Sequence, residues 1–534
     1  MDYWAKAPER RDQLVLFPTR LDDAVPANDP VRLLDEILRR LDWSAWEQGY
    51  DLRKGQPPIH PRVLAGVLLF GLLKRLRSTR VLEEALTVRL DFRWLAEGFQ
   101  IDHTTLSKFR TAHAKELRQL FVQVGLVARE AGLLPLTQLA FDGSRVRANN
   151  RRSGTRTPAE LQECRKVLEQ QYAELEQRWN AADRAEGQTP GAQLSQELSD
   201  VSRRLAKLDS VLAELERAEA AGETVPNRIP VTDPESRIAP NKDGGFAPNY
   251  TPLATTDAQS GMIVGCDVIA QTNEDQFLVS QLENVQQDFD LPALSAEVLA
   301  DGMMCTGENL QQLSERNVTL YSPSKLADPT TNPACRADLS VPVAQEQWDL
   351  LPAQELKGAD GKKQKQLTKD AFVYDADSDC YMCPLGKKLD HVSTCQAKLK
   401  TGSHERRRYK SDPVFCATCP LRARCLKAGT DRREVSRYEH DALQEELALR
   451  MSTEAAKATY ARRRHVAERP FAMIKHHYGA RRFLLRGLGR VRQEWQWLVT
   501  AFNLGRLMSL LNNRAGPPTL GRRTSLLDMT VGTT

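Results

Sequence analysis

Seven apolar residues, Leu194, Leu198, Val201, Leu205, Leu208, Leu212 and Leu215, are spaced 4, 3, 4, 3, 4, 3. An α-helix with one continuous apolar seam satisfies that spacing, and a strand does not. A weaker seam, Leu161, Leu168, Leu175 and Trp179, precedes it across a loop around Gly187 to Gly191. The pair is expected to form an antiparallel coiled-coil hairpin. Both flanks of this hairpin read as strands. Residues 136–148 are strand-like, and residues 249–256 and 262–270 form a strand pair joined by the turn Asp257-Ala258-Gln259-Ser260-Gly261. A sheet that resumes after a long helical hairpin implies an α/β core with a protruding insertion.

The rest of the chain divides around this core. Residues 31–41, 61–77 and 82–90 have helical apolar spacing, and a helix over 274–285, a strand over 297–300, a helix over 310–316 and a strand over 318–321 follow the hairpin strands. Periodicity is then lost in a stretch rich in Pro, Lys and Cys, and helical patterning resumes from residue 441 to about 511. The expected organisation is a helical N-terminal domain (1–130), a core in two parts (131–157 and 223–322), the coiled-coil insertion (158–222), a Cys-rich insertion (323–440), C-terminal core helices (441–512) and a flexible tail (513–534). With 534 residues, 41% apolar and 27% charged, several packed domains are in reach and general disorder is excluded. The longest apolar run, residues 63–73, falls well short of the roughly 20 residues that cross a bilayer, so no membrane association is expected. Met1-Asp2-Tyr3-Trp4 does not begin a secretory signal, which points to an intracellular protein with reduced cysteines.

The net charge of +5 says little, but its distribution says more. Residues 461–492 hold nine arginines and one lysine, and Glu468 is their only carboxylate. At 100° per residue, Tyr460, Arg464, Glu468 and Lys475 fall on one narrow helical face. A lone carboxylate among cations suggests a metal ligand facing a polyanion. Phe471, Tyr478 and Phe483, interleaved with the arginines, suggest a packed layer facing DNA. A second DNA-contacting element is expected after Asp102, a plausible N-cap, where a helix would present Thr104, Thr105, Ser107, Lys108 and Arg110 to phosphates and base edges.

Two aspartates each end an apolar run: Ala140-Phe141-Asp142-Gly143-Ser144 and Leu299-Ala300-Asp301-Gly302-Met303. Phosphodiester cleavage by two metal ions uses carboxylates that bridge and flank the cations, and hard oxygen ligands favour Mg²⁺ or Mn²⁺. The glycine after each aspartate is expected to leave room where a metal and a phosphate approach. Six cysteines cluster at Cys380, Cys383, Cys395, Cys416, Cys419 and Cys425. Two C-x2-C knuckles are a strong zinc signal, but six candidates compete for four ligand places.

The order strand-Asp142, hairpin, helix, strand-Asp301, insertion, helix-Glu468-Arg469-Pro470-Phe471 with Lys475 resembles the DDE transposases of bacterial insertion sequences. The resemblance is to the branch with a Tyr-Arg-Glu-Lys helix, related to the IS-five and eleven-eighty-two groups. It implies an RNase H-like core, a mixed sheet with flanking helices, carrying Asp142, Asp301 and Glu468 as a Mg²⁺-binding catalytic triad. It further implies contacts from Tyr460, Arg464 and Lys475 to the transposon end. One departure is visible: three residues, where the family has two, separate Tyr460 from Arg464. Arg463 restores that spacing but breaks the gap to Glu468, and Arg464 is preferred because it shares the helical face. Among the cysteines the resemblance favours Cys383, Cys416, Cys419 and Cys425 as structural zinc ligands, with Cys380 and Cys395 as spares or alternates. The implied function is metal-dependent cleavage and strand transfer on double-stranded DNA, at inverted terminal repeats and target, by a homodimer in the bacterial cytoplasm at the nucleoid. A domesticated DDE nuclease and a catalytically silent DNA-binding regulator are the alternatives.

Overall fold

The computed structural model describes residues 20–50, 57–150, 154–184, 192–220, 227–241, 244–357, 363–399, 402–427 and 429–514. The loop from Gly187 to Gly191 and the tail beyond residue 514 lie outside them. Among the described residues seven N-terminal helices come first, the longest being α1 (Pro30–Arg40), α2 (Pro61–Leu73), α3 (Thr79–Val88), α4 (His103–Ala112) and α5 (Ala114–Glu130). The Asp29 carboxylate caps α1 by accepting from the Val31 N–H at 2.9 Å, and proline occupies the first helical position, where no donor is needed. The apolar run in α2 has no polar face, and accordingly Val63 through Gly71 are all buried.

The central sheet is built from β1 (Gln138–Gly143), β2 (Phe246–Asp257), β3 (Ile263–Ile269), β4 (Glu297–Leu299) and β5 (Thr319–Tyr321). In space the order is β3-β2-β1-β4-β5, with the β1–β2 and β2–β3 pairs antiparallel and the β1–β4 and β4–β5 pairs parallel. Helices α6 (Pro158–Arg184) and α7 (Ala192–Ala220) lie between β1 and β2, α8 (Leu278–Asp288) between β3 and β4, and α9 (Gly307–Glu315) between β4 and β5. At the base of the α6–α7 pair, Leu161, Leu208 and Val211 pack with Ile229, and Arg165 bonds Asp209 at 2.7 Å. The expected seam residues Leu212 and Leu215 are only partly buried there. Val211, one position off the seam, is fully buried because it also meets the chain returning to the sheet.

The Cys-rich stretch, over which the sequence loses its periodicity, contains a five-stranded antiparallel sheet. Its strands β6 (Val373–Asp375), β7 (Cys380–Met382), β8 (Lys388–Leu399), β9 (Gly402–Ser411) and β10 (Glu434–Tyr438) pair in chain order. Its small core holds Tyr381, Leu389, Tyr409 and Val435. Helices α10 (Asp441–Ser452), α11 (Glu454–Ala461) and α12 (Arg463–Ala472) follow, then a π-helical turn Met473–His477 and the long α13 (Leu488–Arg514). Pro470 removes an intrahelical donor within α12, and the next turn is widened.

The last helix, α13, runs between the N-terminal helices and β3. Trp497 Nε1 donates to the Arg110 carbonyl at 3.0 Å and Trp495 Nε1 to the Leu253 carbonyl at 3.2 Å. Asn503 closes on Ile263, accepting from its N–H at 2.9 Å and donating to its carbonyl at 2.7 Å. One apolar core therefore extends from Val25 through the sheet to Leu511, and the N-terminal helices share it. Among the described residues, no helix is long and apolar enough to cross a membrane.

Candidate active site

In the parallel pairing of β1 with β4, Ala140 stands opposite Leu299. Two residues further along each chain come Asp142 and Asp301, and the charges of both act on one buried acid, Glu274. Asp301 caps the turn Gly302–Met304, its carboxylate accepting from the Met303 N–H at 2.7 Å. A third acid completes the cluster, one that the sequence did not single out. Glu274, just before α8, accepts a hydrogen bond from the Gly143 N–H. Burial first, and then the charges of Asp142 and Asp301, push its carboxyl up to about 7. The expected role of the glycines is corrected here. A Cβ on Gly143 would fall within the Glu274 carboxyl, so Gly143 makes room for this acid. A Cβ on Gly302 would meet only ordinary contacts near Pro323.

Helix α12 lies over these strands. Val466 and Ala467 pack on Ala140 of β1 and Leu299 of β4, which sets the helix across the strands whose ends carry the aspartates. Arg463 Nη2 donates to Asp142 at 3.0 Å and Arg463 also bonds Tyr460, whose hydroxyl is held above its usual range by burial. At the far end Lys475 Nζ donates to Ser144 Oγ at 2.6 Å and to the Arg145 carbonyl at 2.8 Å. Glu468 sits between these two anchors at the margin of the packed face. Its side chain is 51% exposed and lies 3.8 Å from Arg464, which is 87% exposed. Arg463 thus meets Asp142, while Arg464, the expected contact to the transposon end, stays exposed beside Glu468.

Beside the acids opens a cleft of about 700 Å³ lined by Glu274 and by Arg145, Arg147, Lys475, Arg481 and Arg482. The aromatic residues expected to face DNA do not reach it. Phe471 stacks on Trp495 at 5.8 Å, Phe483 meets Tyr250 edge-on, and Tyr478 is buried in the main core, since the interior offers these rings more apolar area than a charged surface does. In α4, Asp102 caps the helix as expected and its carboxylate engages the hydroxyls of both Thr104 and Thr105. Thr104 and Lys108 are exposed and Thr105 and Ser107 partly so. Arg110 is partly buried, donating to the Arg77 carbonyl at 3.2 Å near the Arg77–Glu494 ion pair.

Comparison with known families decides the assignment. Residues 382–508 match the family described as Transposase DDE domain, and residues 19–112 match the family described as Transposase domain (DUF772). The chain is a DDE-type insertion-sequence transposase. The first match takes in β8 to β10 and the helix with Glu468, and the second spans α1 to α4; Asp142 and Asp301 lie outside both. No curated protein matches the transposase.

In this transposase Cys383, Cys416, Cys419 and Cys425 line one cavity of about 210 Å³. Burial raises the Cys383, Cys419 and Cys425 thiols, Cys425 to about 12. Backbone N–H groups of Lys387 and Leu385 oppose this at Cys383, and those of Leu421 and Arg422 at Cys419. Cys380 points elsewhere, toward Met382, and Cys395 is exposed on β8.

Proposed function

We propose that Asp142 and Asp301, completed by Glu468, hold Mg²⁺ or Mn²⁺ while the transposase cuts the inverted ends of its element and joins them to target DNA. The observation that carries this reading is that Asp142 and Asp301 follow paired positions of β1 and β4 and that both charges act on the buried Glu274 carboxyl. Hard oxygen donors suit a small divalent ion. When bound, the ions would supply activation of the attacking oxygen and stabilisation of the leaving one. The residues do the positioning. Arg463 pairs with Asp142 and holds its carboxylate in place. The cationic cleft takes the phosphate backbone, with Lys475 at its edge and Arg464 free to reach solvent-borne DNA. Tyr460 steadies Arg463, and Thr104, Thr105, Ser107 and Lys108 present the exposed side of α4 to the ends.

The order β3-β2-β1-β4-β5, three antiparallel strands and then two parallel ones, supports an RNase H-like core, and α6 with α7 serves as a coiled-coil arm. We assign a structural zinc to Cys383, Cys416, Cys419 and Cys425. Backbone N–H groups aimed at Cys383 and Cys419 are what coordinated thiolates accept. Two ends joined in one reaction call for a homodimer on DNA, and the domain boundaries and the relation to the IS-five and eleven-eighty-two groups follow the same reading. Its place is the bacterial cytoplasm at the nucleoid.

The test is incubation of purified protein with labelled DNA carrying the inverted ends, in Mg²⁺ or EDTA, beside Asp301→Asn. Mg²⁺-dependent cleavage at the ends, lost in the variant, is expected. Binding without cleavage by the unaltered protein would overturn the catalytic assignment.

A further inference from the structure

Three residues from distant parts of the chain converge where the Cys-rich sheet meets the core. Glu308 lies in the first turn of α9, His404 on β9, and His440 at the start of α10 after β10. One ligand atom from each lies within 4.8 Å of the other two, and among the described residues this is the one group of His, Cys, Asp or Glu that meets this limit. The Asp142 cluster and the cysteines are spread wider.

The hydrogen bonding gives this cluster its meaning. His404, only 8% exposed, has Nδ1 at 2.7 Å from Glu439 Oε1. A carboxylate accepts only, so Nδ1 carries the proton, and in the neutral ring Nε2 is left with its lone pair. Nε2 lies 3.6 Å from Glu308 Oε1. A divalent ion set between these two atoms would take one ligand from each. About 3.4 Å is what two ligands with bonds of roughly 2.0–2.1 Å subtend at a tetrahedral ion. The His440 ring stands at 74° to that of His404, and its Nε2 lies 3.4 Å from the same Glu439 oxygen. A carboxylate that fixes the imidazole behind a ligand is the usual outer support of a metal site. Gly307 completes the arrangement, because a Cβ there would run into the His440 ring.

We propose that Glu308, His404 and His440 bind a divalent transition ion of the zinc class, and that this ion clips the Cys-rich sheet to the helix that follows Asp301. Two imidazoles and one carboxylate suit zinc or cobalt better than magnesium. The fourth position falls to water. The site is separate from the cysteines and from the acids at the ends of β1 and β4, and its ligands differ in kind from both.

Cobalt separates the sites by colour. The full chain, stripped of metal under reducing conditions, is titrated with Co²⁺ beside Glu308→Gln and His440→Gln. Cysteine ligation gives intense near-ultraviolet sulfur-to-cobalt bands, whereas nitrogen and oxygen ligation gives only weak visible bands. The unaltered chain is expected to bind one equivalent with visible bands alone, and both variants to lose that equivalent. Sulfur-to-cobalt bands kept in the variants, or an unchanged circular dichroism spectrum, show that the fold persists. Equal Co²⁺ stoichiometry in all three proteins, or no equivalent lacking sulfur bands in the unaltered chain, overturns the proposal and leaves a proton between His404 and Glu308. Failure of the cysteine assignment would appear separately, as absence of the sulfur bands.

Discussion

Replacing Glu274 by glutamine should change how the stability of the metal-free protein responds to pH. The carboxyl moves from its ordinary value of 4.5 to about 7 on folding. At 1.36 kcal/mol per pH unit the difference is about 3 kcal/mol, and partial solvent access to the side chain reduces the expected effect to about 2 kcal/mol. Folding favours the protonated form, so the folded chain holds more protons than the unfolded chain between these two values. The contribution is fully present below about pH 4.5 and is lost as pH rises through about 7. Glu274→Gln keeps the shape and an acceptor for the Gly143 N–H but cannot ionise. In EDTA the two proteins should be nearly equal in stability at pH 5, and the variant should be the more stable at pH 8. Urea unfolding followed by tryptophan fluorescence across that range reads the divergence. Saturating Mg²⁺ should shrink it, because positive charge beside Asp142 and Asp301 removes the repulsion that keeps Glu274 protonated. A constant difference between the two proteins from pH 5 to pH 8 in EDTA would refute the argument that the three acids share one field.

Other substitutions probe other parts of the same structure. Gly143→Ala drives a methyl group into the Glu274 carboxyl and should cost about 1–3 kcal/mol; adding Glu274→Ala should recover part of that loss, a coupling that a double-mutant cycle of melting temperatures reads. Glu494 pairs with Arg77 at 2.6 Å and accepts from the N–H groups of Leu484 and Leu485, so Glu494→Ala strands a buried guanidinium and should cost about 3–5 kcal/mol in thermal or urea unfolding. Arg481→Ala with Arg482→Ala should weaken DNA binding whatever the sequence and flatten the plot of log affinity against log salt by about 2, measured by fluorescence anisotropy.

Much of the core was legible because its strands are buried and end abruptly. Leu139, Ala140 and Phe141 before Asp142, and Val298, Leu299 and Ala300 before Asp301, have no polar side chain to spare, and all six are buried. The turn at Asp257 was legible for its residue types, and the Asp257 carboxylate does accept from Ser260. The second sheet was hidden because β8 and β9 bury so little. Along Glu405-Arg406-Arg407-Arg408 the charges cover both faces, and only Leu389 and Tyr409 mark the side that packs. Glu274 was hidden for a different reason. One acid in Asn273-Glu274-Asp275 looks like any helix start, and only the fold, through the vacant side of Gly143, gives it neighbours. The aromatic residues of the basic segment misled because spacing along the chain does not say which neighbours a break at Arg462 and a widened turn after Ala472 will supply.

The placement of α13 bears on the order in which the protein comes into being. Synthesis from the N-terminus releases α1 to α5 and β1 to β5 long before residues 488–514 exist, yet those helices and β3 meet through side chains of the last helix. Until Trp495, Trp497 and Asn503 arrive, the backbone groups of Leu253, Arg110 and Ile263 lack their partners and a broad apolar surface stays wet. Glu468 also emerges late, after both aspartates. A nascent or truncated chain thus holds neither a closed core nor Glu468, the acid proposed to complete the metal site.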